Sequence, residues 1–405
     1  MAETNPVERI LAVGNMYPPQ HAGGYEIAWQ QVMRRARELG HPVRILTSDH
    51  VEQAGRSEQD PDVHRTLRWY WDLAHYEFPK LNLAQRLKLE RHNAATLRRH
   101  LDTFQPDVVS WWSMGCMSLA MIEQVRRRGI PAAFVVHDDW LVYGREHDQW
   151  LRTWQGPKRR VAGVAVEKIW RIPTQIQING SGRWVFNSGY TRERAREAGL
   201  RAPNMTVVHP GIDEGFQQAL APQPWRWRMA YVGRLDRQKG VDTAVAALKS
   251  LPQAATLTIW GTGEAGYVAE MKRQAAALGA AERVRFAGFA GGEQLRFAYA
   301  DADAIVFPVR WSEPFGLVPL EAMGMGRPVI TTSRGGTSEF VRDGVNALVF
   351  EADDDDALAS CVRRLAEDDS LRDRLRSEGL RTAARFPASK FAQHTVEEIV
   401  RASRK

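Results

Sequence analysis

The stretch EPFGLVPLE, residues 313–321, decides how this chain is read. It follows an apolar run with strand character, AIVFP at 304–308, and leads into AMGMGRPVITTS. A strand, a glycine turn and an apolar helix in that order make one unit of an α/β protein. Pro319 suits the first helical turn, where a missing N–H costs little. Glu313 and Glu321 bracket the turn, and the helix N-terminus between them offers unpaired backbone N–H groups. Each carboxylate accepts hydroxyl hydrogen bonds, and the N–H groups face an anion. The pattern therefore suits a polyhydroxylated ligand that also carries a phosphate. The helix macrodipole alone also favours carboxylates near its N-terminus, a reading that fits Glu321 better than Glu313.

Outward from that unit the same scheme repeats in both directions. Behind it lie strand runs MAYVG (229–233), TLTIWG (256–261) and VRFAGF (284–289), and ahead lie PVITT (328–332) and ALVFE (347–351), with helical patterns between them. The first half shows ILAVG (10–14), VRILTS (43–48), DVVSW (107–111), AAFVVH (132–137), WVFNS (184–188) and TVVHP (206–210). Helical periodicity fills 25–39 and 118–128, each stopped by a glycine. Strands alternating with helices predict α/β architecture with doubly wound parallel sheets. Pro210-Gly211 and the aperiodic stretch to 228 predict a hinge, and so two domains, 1–210 and 211–389. The amphipathic pattern from 390 to 405 is expected to form a last helix packing back on the first domain. Open α/β sheets bind ligands beyond the C-terminal ends of their strands, so motif residues are expected there, in a cleft between two such domains.

Length and composition agree: 405 residues, 44% hydrophobic and 25% charged, fit two soluble globular domains. MAETNPVERILAVG lacks a secretory signal pattern and no run reaches membrane-spanning length, so a cytoplasmic chain is expected. Cys116 and Cys361 have no metal or redox spacing and are expected as free buried thiols. The net charge of +7 lies wholly in residues 1–210, with 29 Lys plus Arg against 22 Asp plus Glu. Part of that excess sits in 63–100, as a solvated helix face or as a peripheral contact for anionic membrane lipid. No zinc-finger, RNA-binding or helix-turn-helix signature accompanies it, so no nucleic-acid partner is expected. The run Asp353–Asp356 reads as a helix cap near Ala357 rather than a metal site.

Three more segments carry chemistry. GRLDRQKG at 233–240 places Arg234 and Lys239 around a polar turn directly after a strand, where two cations grip a diphosphate or form surface salt bridges. GNMYPPQHAGGYE at 14–26 puts Gly23 and Gly24 just before a helix, where bare backbone approaches a phosphate or simply turns. It is neither a Walker A loop nor a dinucleotide fingerprint. VVHDDW at 135–140 sets His137 at a strand end, able to donate to a sugar hydroxyl; Asp138 and Asp139 orient it or cap a turn. Trp111 and Trp112 follow a strand end and fit either an acceptor wall or the core.

Taken together these segments resemble the retaining, nucleotide-sugar-dependent glycosyltransferases of family GT4, which have the GT-B fold. EPFGLVPLE is similar to that family's E-x7-E signature and GRLDRQKG to its diphosphate-gripping segment, with AGGYE, HPGID and GTGE in the expected order. HPGID departs from the Asn-Gly-Val-Asp type turn of many relatives. The resemblance implies that Arg234 and Lys239 neutralise the departing diphosphate without a metal, and that no cofactor is needed beyond a UDP- or GDP-sugar donor. It implies that Gly23 and Gly24 bring backbone to that phosphate, and that His137 meets a donor hydroxyl near the reacting carbon. Glu321 would hold the ribose; Glu313 with the backbone of Phe315, Gly316, Leu317 and Val318 would hold sugar and distal phosphate. The Arg285 main chain would read the base edge. The acceptor is a small molecule, a glycan or a lipid-linked group, and the oligomeric state stays open. Two other readings share the shape. A sugar-nucleotide epimerase would convert donor with no acceptor present; an inactive binding protein would bind donor without turnover.

Overall fold

A computed structural model describes residues 7–20, 23–50, 60–71 and 78–404. The chain divides into two compact units, Met1–His209 with Ser389–Lys405, and Pro210–Ala388.

Unit 1 is built on seven strands: β1 (Ile10–Val13), β2 (Val43–Ser48), β3 (Val63–Leu67), β4 (Val108–Trp111), β5 (Ala132–Val136), β6 (Arg183–Phe186) and β7 (Met205–Val207). They lie in the order β3-β2-β1-β4-β5-β6-β7, with every pair parallel. The central strands are apolar on both faces because helices cover both; β1, β4 and β5 are buried throughout. The helices are α1 (Gly24–Glu38), α2 (Leu83–Phe104), α3 (Ala120–Arg127), α4 (Trp140–His147), α5 (Gln149–Thr153), α6 (Pro157–Trp170) and α7 (Gly189–Glu197). In α1, Trp29, Val32, Met33 and Ala36 recur at helical spacing and face the sheet. Asn82 and Gln85 cap α2 reciprocally, each side chain accepting from the other's backbone N–H at 3.0 and 2.9 Å.

Unit 2 repeats the plan with six parallel strands: β8 (Arg228–Val232), β9 (Thr256–Trp260), β10 (Val284–Gly288), β11 (Ala304–Phe307), β12 (Val329–Thr331) and β13 (Leu348–Val349). Their order is β10-β9-β8-β11-β12-β13. Around them pack α8 (Val241–Ala247), α9 (Ala265–Ala277), α10 (Gly292–Asp301), α11 (Leu317–Gly324), α12 (Asp355–Glu367) and α13 (Asp369–Ala383). The acidic run does cap a helix: Asp354 accepts from the Ala357 N–H at 2.8 Å, and α12 begins at Asp355.

The chain's final helix, α14 (Ala388–Ser403), belongs to unit 1 from Ser389 onward. Phe391, Val396, Ile399 and Val400 enter the same core as Trp29, Val32 and Val185. Burying such side chains contributes about 1.5–3 kcal/mol each. The outgoing and returning segments lie side by side in unit 2: Ile212 N–H donates to the Phe386 carbonyl and Ala388 N–H to the Ile212 carbonyl, both at 2.9 Å. A Cβ on Gly211 would stand 2.4 Å from the Pro387 carbonyl oxygen, so only glycine fits there.

Three expectations change. The basic stretch 63–100 is not one helix face: it opens with β3, paired to β2, and continues in α2, while its residues 72–77 lie outside the described set. Strand VHRTL escaped notice because an edge strand needs less apolar sequence than a central one. Trp111 and Trp112 wall no acceptor site; both are 0% exposed and lie in the cores on opposite faces of the sheet. Alternation along the strand sends neighbouring side chains to opposite faces, and here both faces are covered. Cys361 is buried as expected, whereas Cys116 is partly exposed.

Candidate active site

In a doubly wound sheet the loops diverge where the strand order reverses, and ligands bind there. In unit 2 that point lies between β8 and β11. The β8 loop is GRLDRQKG, and the β11 loop runs from Pro308 into Gly316. Asp236 accepts from the N–H groups of Gln238 and Lys239 at 3.0 and 3.2 Å, folding the first loop into a turn. Gly240 closes it with φ +64°; a Cβ there would meet the Pro308 carbonyl at 2.1 Å, so the two loops touch. Arg310 holds them together. Its guanidinium donates to both Asp242 oxygens at 2.8 and 2.7 Å, to the Arg237 carbonyl at 2.7 Å, and to Asp353.

That frame brings Lys239 and Glu313 into contact. The Lys239 Nζ donates to Oε1 and Oε2 of Glu313 at 3.0 and 2.8 Å, and Lys239 is 9% exposed. The Trp311 indole N–H also donates to Glu313, and its ring lies 5.0 Å from Nζ. Removing one member of a buried pair strands the other charge, typically at about 3–5 kcal/mol. Arg234 differs: its side chain is 59% exposed and lies 3.6 Å from Asp236. One cation is thus held by a largely buried carboxylate and the other is largely exposed.

Along EPFGLVPLE, Phe315 packs against Phe340 and Phe386 and is 2% exposed, so only its backbone is available to a ligand. Gly316, with φ +89°, precedes α11, whose first N–H groups come from Leu317, Val318 and their neighbours. Glu321 lies in α11 and accepts from the Tyr299 hydroxyl through Oε2. Burial raises its pKa, which the Tyr299 bond opposes. Glu313 and Glu321 share no hydrogen-bond partner, one tied to Lys239 and the other to Tyr299. Arg285 lies on edge strand β10, hydrogen-bonded to β9 on one side, with its guanidinium 5.3 Å from the Trp260 ring.

In unit 1 the order reverses between β1 and β4. Gly23 caps α1 and its N–H donates to Glu26 at 3.1 Å. Its φ of −176° suits any residue, and a Cβ there meets nothing among the described residues, so the fold itself does not demand glycine. Gly24 is the first residue of α1. His137 follows β5, is 8% exposed and stacks on Tyr25 at 4.6 Å. Burial pushes its pKa down to about 3, leaving a neutral imidazole. Beside it, Asp138 accepts from Tyr143 at 3.1 Å and lies 3.5 Å from the Ser113 hydroxyl; burial pushes it up to about 6. Arg310, Trp311 and the partners of Asp138 were not read from sequence. The signal for Arg310, Trp311 and Ser113 was their place just past strand ends; Tyr143, inside α4, carried none.

Comparison with known proteins bears on the fold and the family. The family model described as Glycosyltransferase Family 4 matches residues 22–216, and that described as Glycosyl transferases group 1 matches 214–382. The chain is 33% identical to a glycogen synthase of Mycobacterium tuberculosis over 98% of this chain and 95% of that one. It is 34% identical to the uncharacterized glycosyltransferase MJ1607 of Methanocaldococcus jannaschii over 161 residues, 39% of this chain and 40% of that protein. Among solved structures, Anabaena HepE in complex with UDP-glucose superposes with TM-score 0.70 at 21% identity, covering 96% of this chain and 98% of that one. WaaG, a glycosyltransferase involved in lipopolysaccharide biosynthesis, superposes with TM-score 0.65 at 17% identity over 96% and 99% of the two chains. Fold and family define a glycosyltransferase of the GT-B class. The chain belongs to glycosyltransferase family 4. Among the described residues no helix is long and apolar enough to cross a membrane.

Proposed function

We propose that this enzyme moves a hexosyl group from a UDP-sugar to an acceptor hydroxyl with retention at the anomeric carbon and without a metal. The observation that carries it is the Lys239–Glu313 contact, a buried cation and a carboxylate presented together beyond β8 and β11. Lys239 is placed to take the charge of a departing diphosphate, with exposed Arg234 swinging in beside it. Glu313 then keeps oxygen capacity for a sugar hydroxyl. Glu321 spends one oxygen on Tyr299 and offers the other to the ribose. The edge backbone at Arg285 is open to a base. Complexes of HepE with UDP and with UDP-glucose support uridine over guanosine.

In this reading the C1–O bond to the diphosphate breaks first. The leaving phosphate takes the acceptor proton, and the acceptor oxygen bonds C1 on the same face. Catalysis is electrostatic and positional, worth several powers of ten in rate. Gly23, Gly24 and neutral His137 belong to the same proposal as phosphate and hydroxyl contacts. A thermal-shift screen with UDP, GDP and ADP tests the donor, because binding to the folded state raises the melting temperature. Preference for GDP or ADP overturns the uridine assignment. An inverted product anomer overturns retention, and activity lost to a chelator and restored by a divalent cation overturns metal independence.

A further inference from the structure

Helix α6 wears its apolar residues on the outside. Val161, Val164 and Ile169 are 74%, 47% and 70% exposed, while Gly163 is the helix's one buried residue. At three- to five-residue spacing, with Ala165, they form a single outward stripe. Lys158 and Lys168 lie on that same outward face among the aliphatic residues, and Arg160 lies beside it. The helix's one carboxylate, Glu167, instead bonds Arg127 and Thr174. Next to the stripe, a groove of about 630 Å³ runs between α2 and the end of α6. Lys88, Arg91 and Arg98 line it with Ile169, Trp170 and Arg171, and the Arg91 guanidinium lies 4.1 Å above the Trp170 ring. Among the described residues none of these flanking lysines and arginines pairs with a carboxylate.

We propose that this α6–α2 face docks the protein onto an anionic lipid surface. An outward face of aliphatic residues interleaved and flanked with unpaired cations suits an interfacial helix: aliphatic side chains enter the acyl boundary while the long lysine and arginine stems carry their charges to headgroup phosphates. A second copy of the chain is a poor occupant, because two such faces would oppose like charges. A nucleic acid would use the cations but leave Val161, Val164 and Ile169 in water. This face lies on different elements, α2 and α6, from those that carry the proposed donor residues.

Cosedimentation of the full chain with vesicles tests it. The expected result is binding to vesicles holding about 30 mole per cent phosphatidylglycerol at ~0.1 M salt, weak binding to pure phosphatidylcholine, and loss in high salt. Two variants separate the contributions: Lys158→Glu with Arg160→Glu and Lys168→Glu, and Val161→Ser with Ile169→Ser. Each should lower the bound fraction more than about ten-fold while melting temperature and the UDP-induced shift stay at wild-type values. Equal binding to neutral vesicles, wild-type binding by either variant, or no vesicle binding at all overturns the proposal. So does a dimer, or duplex DNA binding, that the Ile169 variant abolishes. A missing UDP shift with vesicle binding intact would remove the donor reading and leave this one standing.

Discussion

The two units share one topology and treat charge in opposite ways. Where the strand order of unit 2 reverses, the structure holds an ion pair, Lys239 with Glu313, framed by a second pair, Arg310 with Asp242. Beyond the strand ends of unit 1 the buried groups are driven toward neutrality. His137 is pushed down to about 3 and Asp138 up to about 6, each first by desolvation. Deeper in unit 1, burial beside Asp148 pushes Glu90 up to about 8, while Tyr70 donates to it at 2.6 Å. Equivalent loops off two like sheets thus hold a charge pair in one unit and buried groups pushed toward neutrality in the other. Topology chooses the place, and the local side chains choose the chemistry.

The sharpest way to break this comparison is to remove the unit 2 charges. Lys239→Ala and Glu313→Ala should each cut turnover about 10²–10³-fold, the scale of a lost transition-state donor. Each also strands its partner, lowering the melting temperature by about 10 °C, and the double variant should recover part of that loss. Wild-type turnover in a folded Glu313→Ala protein removes the site. His137→Asn should cost about ten-fold in kcat, a single hydrogen bond's worth. With a folded pKa near 3, His137 adds no inflection to the rate profile around pH 6.5. The unfolded chain binds that proton more readily, so His137 lowers stability as pH falls from about 6.5 toward 3. The Asn variant should resist acid better in thermal melts, and an inflection near 6.5 lost in His137→Asn would break the comparison. The smallest effect is Glu90→Gln. Glu90 keeps its proton in the fold to about pH 8 but releases it unfolded from about 4.5, so it costs stability as pH rises through that window. The Gln variant, still an acceptor for Tyr70, should melt a few degrees higher at pH 8–9 and no higher at pH 4. Equal melting at both values contradicts a protonated Glu90.

Much of this was legible in the residues. Central parallel strands are apolar runs because helices cover both faces, so ILAV, AAFVV and AIVF stood out at once. The motif loops stood out because they follow those runs directly. What escaped depends on pairings between distant segments. Lys239 and Glu313 are 74 residues apart, and each was read as a separate clamp on a ligand. Only the adjacency of β8 and β11 shows that they hold each other first. Arg310 drew no reading, because its partners, the Arg237 carbonyl and Asp242, lie 73 and 68 residues away. The tryptophans at 111 and 112 were ambiguous because an indole serves a core and a sugar equally well.

The last helix carries a consequence for how the protein is made. Unit 1 takes Phe391, Val396, Ile399 and Val400 into its core and pairs Glu398 with Arg183. All of unit 2 lies between those segments in the chain. A ribosome therefore finishes the second unit before it has released the helix that completes the first. The early unit must wait, partly assembled, for a helix translated after the whole of unit 2, so a product cut short before that helix is betrayed by its first half rather than its second.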